Sequence, residues 1–173
     1  MESIFMPTVR AMSAEGRKFS GVIYFGLMLT PDGPKVIEYN ARFGDPETQA
    51  VLSLLESDLL DIFLAVSAGS LSGLDIKWSS DAACCVVLAS GGYPGAYETG
   101  FGISGLSDVP DSAFVYHSGT ARAPGGGFVT NGGRVLGVTA TGTALDGAIR
   151  SAYDAAGNIG FKGLHMRRDI GRL

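Results

Sequence analysis

Two apolar segments joined by a four-residue turn restrict the fold of this chain more than any other feature. Gly21 to Thr30 reads GVIYFGLMLT, and Lys35 to Asn40 reads KVIEYN. The turn between them is Pro31-Asp32-Gly33-Pro34, in which proline presets φ and glycine accepts a positive φ. The pattern predicts an antiparallel hairpin whose first strand, apolar on both faces, is buried.

Two helices are predicted after the hairpin. Asp45 as N-cap with Pro46 at the first helical position indicates the start of one helix. Ser57 is the expected cap of the second helix, which ends at Gly69. A hairpin and two helices leave one face of the sheet with little to cover it, so we expect the chain to be a fragment or half of a split protein. The apolar stripe of the second helix is Leu59, Leu60, Phe63, Leu64 and Val66.

The rest of the chain is rich in β signals. Its 26 glycines lie between apolar runs, which favours tight turns and short strands. We expect a hairpin turn at Asn131-Gly132, a helix from Thr143 to Ala156 that stops at Gly157, and a fold boundary near residues 68–80. The fold class is therefore α+β, in two pieces, 1–68 and 69–173. The expected strands are Ala82 to Ala89, which is buried, Val115 to His117, Phe128 to Thr130, Arg134 to Thr141 and Leu164 to Ile170.

Composition argues against several classes of protein. The net charge of −4 lacks the basic excess of a nucleic-acid-binding surface, and no apolar run approaches the roughly 20 residues of a membrane span. The first ten residues do not have the pattern of a signal peptide. Cys84 and Cys85 are neighbours on a predicted strand and point to opposite faces, so we expect two buried thiols in a reducing, cytoplasmic compartment.

The second strand of the hairpin carries candidate metal ligands. Glu38 and Asn40 lie two residues apart and so share one face, about 7 Å apart along the backbone. Ile37 and Tyr39 face the other side, and Arg42 joins Glu38 and Asn40 if the strand stays extended. Magnesium prefers few protein oxygen ligands completed by phosphates, and arginine grips phosphate through paired hydrogen bonds. The trio therefore suits a metal–nucleotide phosphoryl site.

Simpler interpretations stay open for the same residues. By pattern alone, Glu-x-Asn-x-Arg on a strand is more often a solvated face with a cross-strand ion pair. Asp45-Pro46 is at least a helix cap. Arg134 follows Asn131-Gly132-Gly133 at an expected hairpin tip, where a substrate contact competes with an ordinary surface role. Gly91-Gly92-Tyr93-Pro94 is a turn at a strand end.

The run ARFGDPETQ, preceded by GLMLTPDGPKVIEYN, resembles the phosphoribosylamine–glycine ligase family of ATP-grasp enzymes. The likeness extends from Met6-Pro7-Thr8 to Arg167-Arg168-Asp169-Ile170-Gly171, and includes SGGYPGAYETG and TNGGRVLGVTA. The resemblance implies that residues 1–68 are the C-terminal part of an ATP-grasp subdomain, an antiparallel hairpin plus helices. It implies that residues 69–173 are the family's small mixed β domain with one main helix.

The resemblance also implies an activity, the ATP-dependent ligation of glycine to 5-phosphoribosylamine in purine biosynthesis through a glycyl phosphate. Glu38 and Asn40 match the family's ligands for Mg²⁺ or Mn²⁺, and Arg42 matches a catalytic arginine near the transferred phosphate. The resemblance places Gly44, Asp45 and Pro46 on the substrate side of the signature, and we hypothesise that the Asp45 carboxylate holds an ammonium group. Arg134 joins the expected substrate-binding residues from its place at the hairpin tip, not from the resemblance.

The chain departs from the family in length. The family's N-terminal half carries the adenine pocket, phosphate-binding lysines and a glycine-rich loop, whereas Gly125-Gly126-Gly127 here precedes an expected strand. We therefore expect little or no ligase activity without that half. The alternatives are another ATP-grasp carboxylate–amine ligase or carboxylase, and a non-catalytic assembly module.

Overall fold

The computed structural model describes residues 2–172, which form two compact units. The first unit comprises the residues up to Gly44 together with Glu56–Lys77. The second comprises Asp45–Leu55 and the residues from Trp78 onward. The chain therefore passes between units at residues 44/45, 55/56 and 77/78. A domain division between residues 68 and 69 stays a prediction, because compact units do not have to coincide with the domains of a protein family.

The first unit is built on the predicted hairpin. Helix α1 (Phe5–Ala14) precedes strands β1 (Tyr24–Thr30) and β2 (Gly33–Asn40), and helix α3 (Leu59–Ala68) comes later in the chain. The two strands pair antiparallel from Tyr24 opposite Asn40 to Thr30 opposite Gly33, with a bulge between Gly26 and Leu27. The hairpin is confirmed, but its turn is shorter than predicted, because β2 begins at Gly33 and only Pro31 and Asp32 lie between the strands.

Burial of strand β1 is not confirmed. Leu29 is 83% exposed and Met28 is 54% exposed. A two-stranded sheet gives each strand only one neighbour, and the ring contact that α1 contributes is Phe5 on Phe25, with centroids 4.3 Å apart. The prediction of a buried strand was wrong because apolar sequence on both faces does not by itself supply two covering layers.

Helix α3 begins one residue later than predicted. Asp58, rather than Ser57, is the N-cap, and its carboxylate accepts a hydrogen bond from the Leu60 N–H at 2.7 Å. The Ser57 hydroxyl instead accepts from the Lys77 N–H at 2.8 Å. Gly69 ends the helix in the left-handed conformation, with φ 67°, as predicted.

The second unit contains an antiparallel three-stranded sheet in the order β3 (Ala82–Ala89), β8 (Arg134–Gly142), β5 (Ala113–His117). Helix α4 (Leu145–Gly157) packs on β8 and β3. The predicted buried strand and the predicted helix are confirmed, and Cys84 and Cys85 are buried free thiols. The largest fully buried side chains are Leu88, Leu136, Val86, Val135, Val138, Thr130 and Thr139.

A second small sheet has the order β4 (Gly102–Ile103), β7 (Phe128–Thr130), β6 (Thr120–Arg122). Because β7 and β8 belong to different sheets, the hairpin predicted at Asn131-Gly132 is wrong. The Asn131 N–H donates to the Gly119 carbonyl at 2.7 Å instead of starting a β7–β8 ladder.

Two further predictions about the C-terminal part need correction. Residues 164–170 do not form a strand; only His165 bridges Ala89, through backbone hydrogen bonds of 2.8 and 2.9 Å. Helix α4 follows Ala144, an extended N-cap without a side-chain hydrogen bond, so Thr143 does not cap it. Within residues 2–172, no helix combines the length and apolar character required to cross a bilayer.

Candidate functional site

Glu38 and Asn40 lie on one face of strand β2 and touch each other. The Asn40 side-chain N–H donates to Oε1 of Glu38 at 3.1 Å. Tyr39, between them in sequence, packs edge-on against Phe25 with centroids 5.4 Å apart, on the other face of the hairpin. The predicted shared face is therefore confirmed, and it brings a carboxylate and a side-chain amide together.

Gly26 makes room for the Glu38 side chain, and sequence reasoning passed over it. Gly26 pairs with Glu38 in the ladder, next to the bulge. A Cβ on Gly26 would lie 2.8 Å from Cγ of Glu38, closer than real Cβ atoms approach other carbons. An isolated glycine within a strand pattern is a known sign of a bulge or a close approach, so the signal was present in GLMLT.

Arg42 does not extend this face of the sheet. Strand β2 ends at Asn40, and Nη1 of Arg42 donates to the Phe43 carbonyl at 2.8 Å. The condition under which Arg42 would join Glu38 and Asn40, an extended strand, is not met. The side chain is exposed, so its guanidinium is accessible to solvent.

The donor groups of Glu38 and Asn40 decide what kind of ion would fit them. In the part of the chain that the structure describes, no three His, Cys, Asp or Glu side chains come together as a metal site. One carboxylate and one amide are too few to enclose an ion, but Mg²⁺ keeps several waters and takes oxygens from nucleotide phosphates. Glu38 and Asn40 therefore fit a shared metal–nucleotide site better than a closed protein site.

Asp45 belongs to the second unit and lies just before helix α2 (Glu47–Leu52). Its peptide bond to Pro46 is cis, and Pro46, not Asp45, is the N-cap residue. Oδ1 of Asp45 accepts a hydrogen bond from Nε2 of Gln49 at 2.9 Å. The cap prediction was wrong because the carboxylate reaches a side chain one turn into the helix rather than the backbone N–H groups at its start.

Arg134, the first residue of β8, contacts Asp45, which lies 89 residues earlier in the sequence. Nη1 of Arg134 donates to the Asp45 main-chain carbonyl at 2.6 Å and lies 3.6 Å from Oδ2 of the carboxylate. Nε of Arg134 donates to the Tyr93 hydroxyl at 3.1 Å. The structure thus brings together two of the residues predicted to bind substrate.

The surroundings of Arg134 favour its charged form, which arginine holds in any case. Burial alone would lower the pKa of Arg134, but the Tyr93 hydrogen bond and the charges of Asp45 and Glu47 outweigh it and raise that pKa. Tyr93 owes its position to Gly133, because a Cβ on Gly133 would collide with the Tyr93 ring. Sequence analysis treated Tyr93 only as part of a turn, and an aromatic residue next to proline gave no sign of this contact.

These contacts bear on the role predicted for Asp45. The carboxylate is half exposed and engages Gln49 on one oxygen and Arg134 on the other. An ammonium group arriving at Asp45 would compete with Arg134 or join it. A role for Asp45 in holding an ammonium group stays a prediction.

A cavity of about 390 Å³ in the second unit adjoins this cluster. Among the cationic side chains that line the cavity, Arg167 is already paired with Asp169 through two hydrogen bonds of 2.9 and 2.6 Å. Most of its wall is apolar, with Arg134, His165 and Arg167 as the cationic or titratable exceptions, which suits a small ligand with one anionic group. The lining residues are Pro46, Cys85, Val87, Ala89, Tyr93, Pro94, Arg134, His165, Met166, Arg167 and Ile170.

The predicted site residues are divided between the two units. Glu38, Asn40 and Arg42 belong to the first unit, as does Gly44, which is buried. Asp45, Pro46 and Arg134 belong to the second. Gln49 and Tyr93 are the additions that the structure makes to the second group.

Two family models match the chain. The C domain of phosphoribosylglycinamide synthetase matches residues 83–173, and the ATP-grasp (A) domain of the same family matches residues 1–48. The phosphoribosylamine–glycine ligase of Caldanaerobacter subterraneus subsp. tengcongensis is 50% identical over 169 residues, which is 98% of this chain and 40% of that relative. The chain therefore spans about two fifths of the length of that relative.

Solved structures agree with this match. The crystal structure of phosphoribosylamine–glycine ligase from Thermotoga maritima has a TM-score of 0.78 and 35% identity, over 97% of this chain and 41% of that one. The biotin carboxylase domain of the 2-oxoglutarate carboxylase from Hydrogenobacter thermophilus has a TM-score of 0.61 at 13% identity, over 94% and 36% of the two chains. At that identity the second likeness concerns the fold alone.

Proposed function

This chain belongs to the phosphoribosylamine–glycine ligase family, and from that membership we propose that it supplies the C-terminal part of an ATP-dependent ligase joining glycine to 5-phosphoribosylamine. The observation that carries the proposal is the 50% identity to a ligase of that name over 98% of the chain. The proximity of Glu38 and Asn40 supports it, because each side chain carries an oxygen of the type that binds the cation in phosphoryl chemistry.

The proposed reaction has two steps. An oxygen of the glycine carboxylate attacks the γ-phosphorus of ATP, which forms glycyl phosphate and releases ADP. The amine of 5-phosphoribosylamine then attacks the acyl carbon, an amide bond forms, and inorganic phosphate leaves as the amine loses a proton. Both steps depend chiefly on positioning and on neutralising phosphate charge.

In this scheme Glu38 and Asn40 hold a divalent cation, Mg²⁺ or Mn²⁺. The cation supplies charge neutralisation at the ATP phosphates. Gly26 contributes by leaving space for the Glu38 side chain beside the bulge. Arg42 binds the transferred phosphoryl group, for which it exchanges its hydrogen bond to the Phe43 carbonyl for phosphate oxygens.

Substrate binding is assigned to Gly44, Asp45, Pro46 and Arg134. Arg134 fixes the backbone at Asp45 through its 2.6 Å hydrogen bond. The next residue, Pro46, lines the cavity. An arginine is a cation throughout the physiological range and attracts carboxylate or phosphate groups. Glycine and 5-phosphoribosylamine each carry one such group.

The partner required for turnover is the N-terminal half of the ligase. The test combines this full chain with the portion of the Caldanaerobacter relative outside the matched segment and measures phosphate release. We expect release that depends on ATP, glycine and 5-phosphoribosylamine only when both polypeptides are present. Glu38→Gln should abolish it, whereas Glu98→Gln, at an exposed carboxylate of the second unit, should not.

Three results would change the assignment. Turnover with a different carboxylate or acceptor, but not with glycine, would favour another ATP-grasp ligase or carboxylase. Assembly without turnover on any substrate would favour a non-catalytic assembly module. Turnover by this chain alone would contradict the requirement for a partner.

A cytoplasmic location stays a prediction.

A further inference from the structure

We propose that a pocket beside helix α4 is a binding site for a small phosphorylated compound with two or more negative charges, separate from the cavity at Arg134. The pocket has a volume of about 340 Å³, and all its lining residues belong to the second unit. It shares no lining residue with the cavity at Arg134, so the inference does not rest on the proposed function. The lining residues are Ile149, Arg150, Tyr153, Asp154, Arg168 and Arg172.

Three guanidinium groups line this pocket together with a single carboxylate. Arg150 and Asp154 come from α4, and Arg168 and Arg172 come from the C-terminal segment, residues 167–172. The pocket therefore has an excess of two positive charges, although the net charge of the whole chain is −4. A concave site lined by charges of one sign concentrates the local field and attracts ions of the opposite sign.

The guanidinium groups of this pocket are available to a ligand. All three side chains are exposed, and within residues 2–172 none of them forms an ion pair with a carboxylate. Asp169, the nearest candidate in sequence, accepts hydrogen bonds from Arg167 on both of its oxygens. The pKa of Asp169 is lowered chiefly by that contact and least by the charge of Arg172. Asp169 therefore belongs to Arg167 and leaves Arg172 free to bind an anion.

The position of Arg168 is fixed by hydrogen bonds between the C-terminal segment and α4. The Tyr153 hydroxyl donates to the Arg167 carbonyl at 2.9 Å and accepts from the Ile170 N–H at 3.1 Å. Arg168 lies between these two anchored residues. Its backbone is therefore held against the helix before any ligand arrives, which lowers the entropic cost of binding.

Gly171 fixes the approach of the segment to the helix. Its φ is 75°, a conformation that favours glycine, and a Cβ there would lie 2.7 Å from Cδ1 of Ile149. Only a residue without a side chain allows the backbone to come this close to α4. The next residue, Arg172, lines the pocket as a consequence of this close approach.

The donor groups and the size of the pocket indicate the class of ligand. Guanidinium groups bind phosphate oxygens through paired, charge-assisted hydrogen bonds. A pocket of this volume has the size of a small-molecule site. Nucleic acid is disfavoured, because the acidic chain lacks a wide basic surface. The geometry therefore fits a free diphosphate or another small compound with a multiply charged phosphate group.

The experiment titrates the full chain with inorganic diphosphate at fixed ionic strength and without divalent cations. Without a cation, diphosphate cannot bind through Glu38 and Asn40. Calorimetry measures the dissociation constant, and nuclear magnetic resonance of the backbone amides locates the site. We expect the signals of Gly171 and Arg172 to shift at lower diphosphate concentrations than that of Arg134.

Variants of the arginines test which charges bind the ligand. Arg168→Gln and Arg172→Gln should each raise the dissociation constant about tenfold, because each removes charge-assisted hydrogen bonds. Arg122→Gln is the matched control for the loss of one positive charge in the same unit. Arg122 is exposed, lies 5.3 Å from the centroid of the Phe128 ring and lines neither pocket, so its variant should bind diphosphate like the parent.

Tyr153→Phe tests the built geometry without a change of charge. It removes both hydrogen bonds that hold the C-terminal segment, and it should raise the dissociation constant about threefold or more. Thermal unfolding of each variant without ligand shows that the fold is retained. Diphosphate should also raise the midpoint of thermal unfolding of the parent more than that of Arg168→Gln, because a ligand stabilises the folded chain that binds it.

Several results would overturn the proposal. These are no binding at millimolar diphosphate, shifts at Arg134 that precede those at Gly171, or equal weakening by Arg122→Gln, which would reveal a general attraction of charge. Binding of a single-stranded oligonucleotide without binding of diphosphate would assign the arginines to a nucleic-acid surface instead. Failure of ligase turnover with the partner half would remove the proposed function and leave this site standing, because the titration involves no turnover.

Discussion

The two units differ in what they do with their apolar side chains. The second unit packs Leu88, Leu136 and Val138 to zero exposure between a three-stranded sheet and α4. The first unit leaves Leu29 and Leu60 more than half exposed. Apolar periodicity is clear in both units. The difference shows that an apolar pattern predicts which face of a helix or strand can be buried, and not whether another element is present to bury it.

The difference has a physical origin in the number of strands and helices that neighbour each strand. In the second unit the central strand β8 has a neighbour on each side and a helix across one face. In the first unit each strand has a single neighbour. Burial of an apolar side chain contributes about 1.5–3 kcal/mol, so folding free energy should be concentrated in the second unit.

The largest expected effect tests this contrast directly. Leu136→Ala in the core of the second unit should reduce the free energy of unfolding by about 2–5 kcal/mol, through lost transfer energy and the cavity left behind. Leu29→Ala, the matched substitution on the hairpin, should change it by no more than about 0.5 kcal/mol. Urea denaturation of the full chain, followed by circular dichroism, measures both. Similar losses for the two variants would show that Leu29 is covered in solution.

The next effect concerns the face of β2. Gly26→Ala places a methyl group against Glu38 and should weaken Mn²⁺ binding to the full chain about tenfold, as is usual when the support of a ligand is altered. Gly73→Ala is the control, since a methyl group there meets open space in the same unit. Electron paramagnetic resonance of free Mn²⁺ measures the affinity. If both variants bind Mn²⁺ like the parent, Glu38 does not hold the ion.

A smaller effect is expected in the second unit at Arg134. Arg134→Ala removes the hydrogen bonds to the Asp45 carbonyl and the Tyr93 hydroxyl. Because Arg134 and Asp45 are 40 and 50% exposed, solvent screening limits the loss of unfolding free energy to about 1 kcal/mol.

Glu98→Gln provides the comparison for Arg134→Ala. It weakens the Lys162 pair, whose side chains are 73 and 80% exposed at 3.8 Å, and should cost almost nothing. Urea denaturation of both variants measures the difference. Equal costs would mean that the Arg134 cluster is no more than a surface ion pair.

Much of the local structure follows from the sequence, because it is set by neighbouring residues. The hairpin, the buried strand at Ala82–Ala89, the helix ending at Gly157 and the shared face of Glu38 and Asn40 are all of this kind. The RFGDPE run was enough to identify the family. Each depends on alternation, turn chemistry or a short motif.

What the sequence could not supply depends on partners far along the chain. Asp45 looked like a helix cap because its local context is that of a cap. Yet its carboxylate contacts Gln49 and Arg134, and Arg134 lies 89 residues later in the chain. Asn131-Gly132 has the chemistry of a hairpin turn, but the strands on its two sides pair in different sheets. Local patterns cannot distinguish these outcomes, since they are decided by tertiary contacts.

The smallest expected effect is a loss of stability at alkaline pH. It concerns the second unit alone, because both cysteines lie there. Burial raises the pKa of Cys84 and of Cys85 above the ordinary value of 9.0. The folded chain then holds the thiol protons more tightly than the unfolded chain. The thiol contribution to stability is therefore complete below the unfolded thiol pKa and is lost as pH rises through the folded one. The unfolding free energy should fall more steeply between pH 8 and pH 10 in the parent than in Cys85→Ala, as urea denaturation at each pH would show. Parallel slopes would mean that Cys85 ionises as readily in the folded chain as in the unfolded one, and that the wall of the cavity which it lines is open to water.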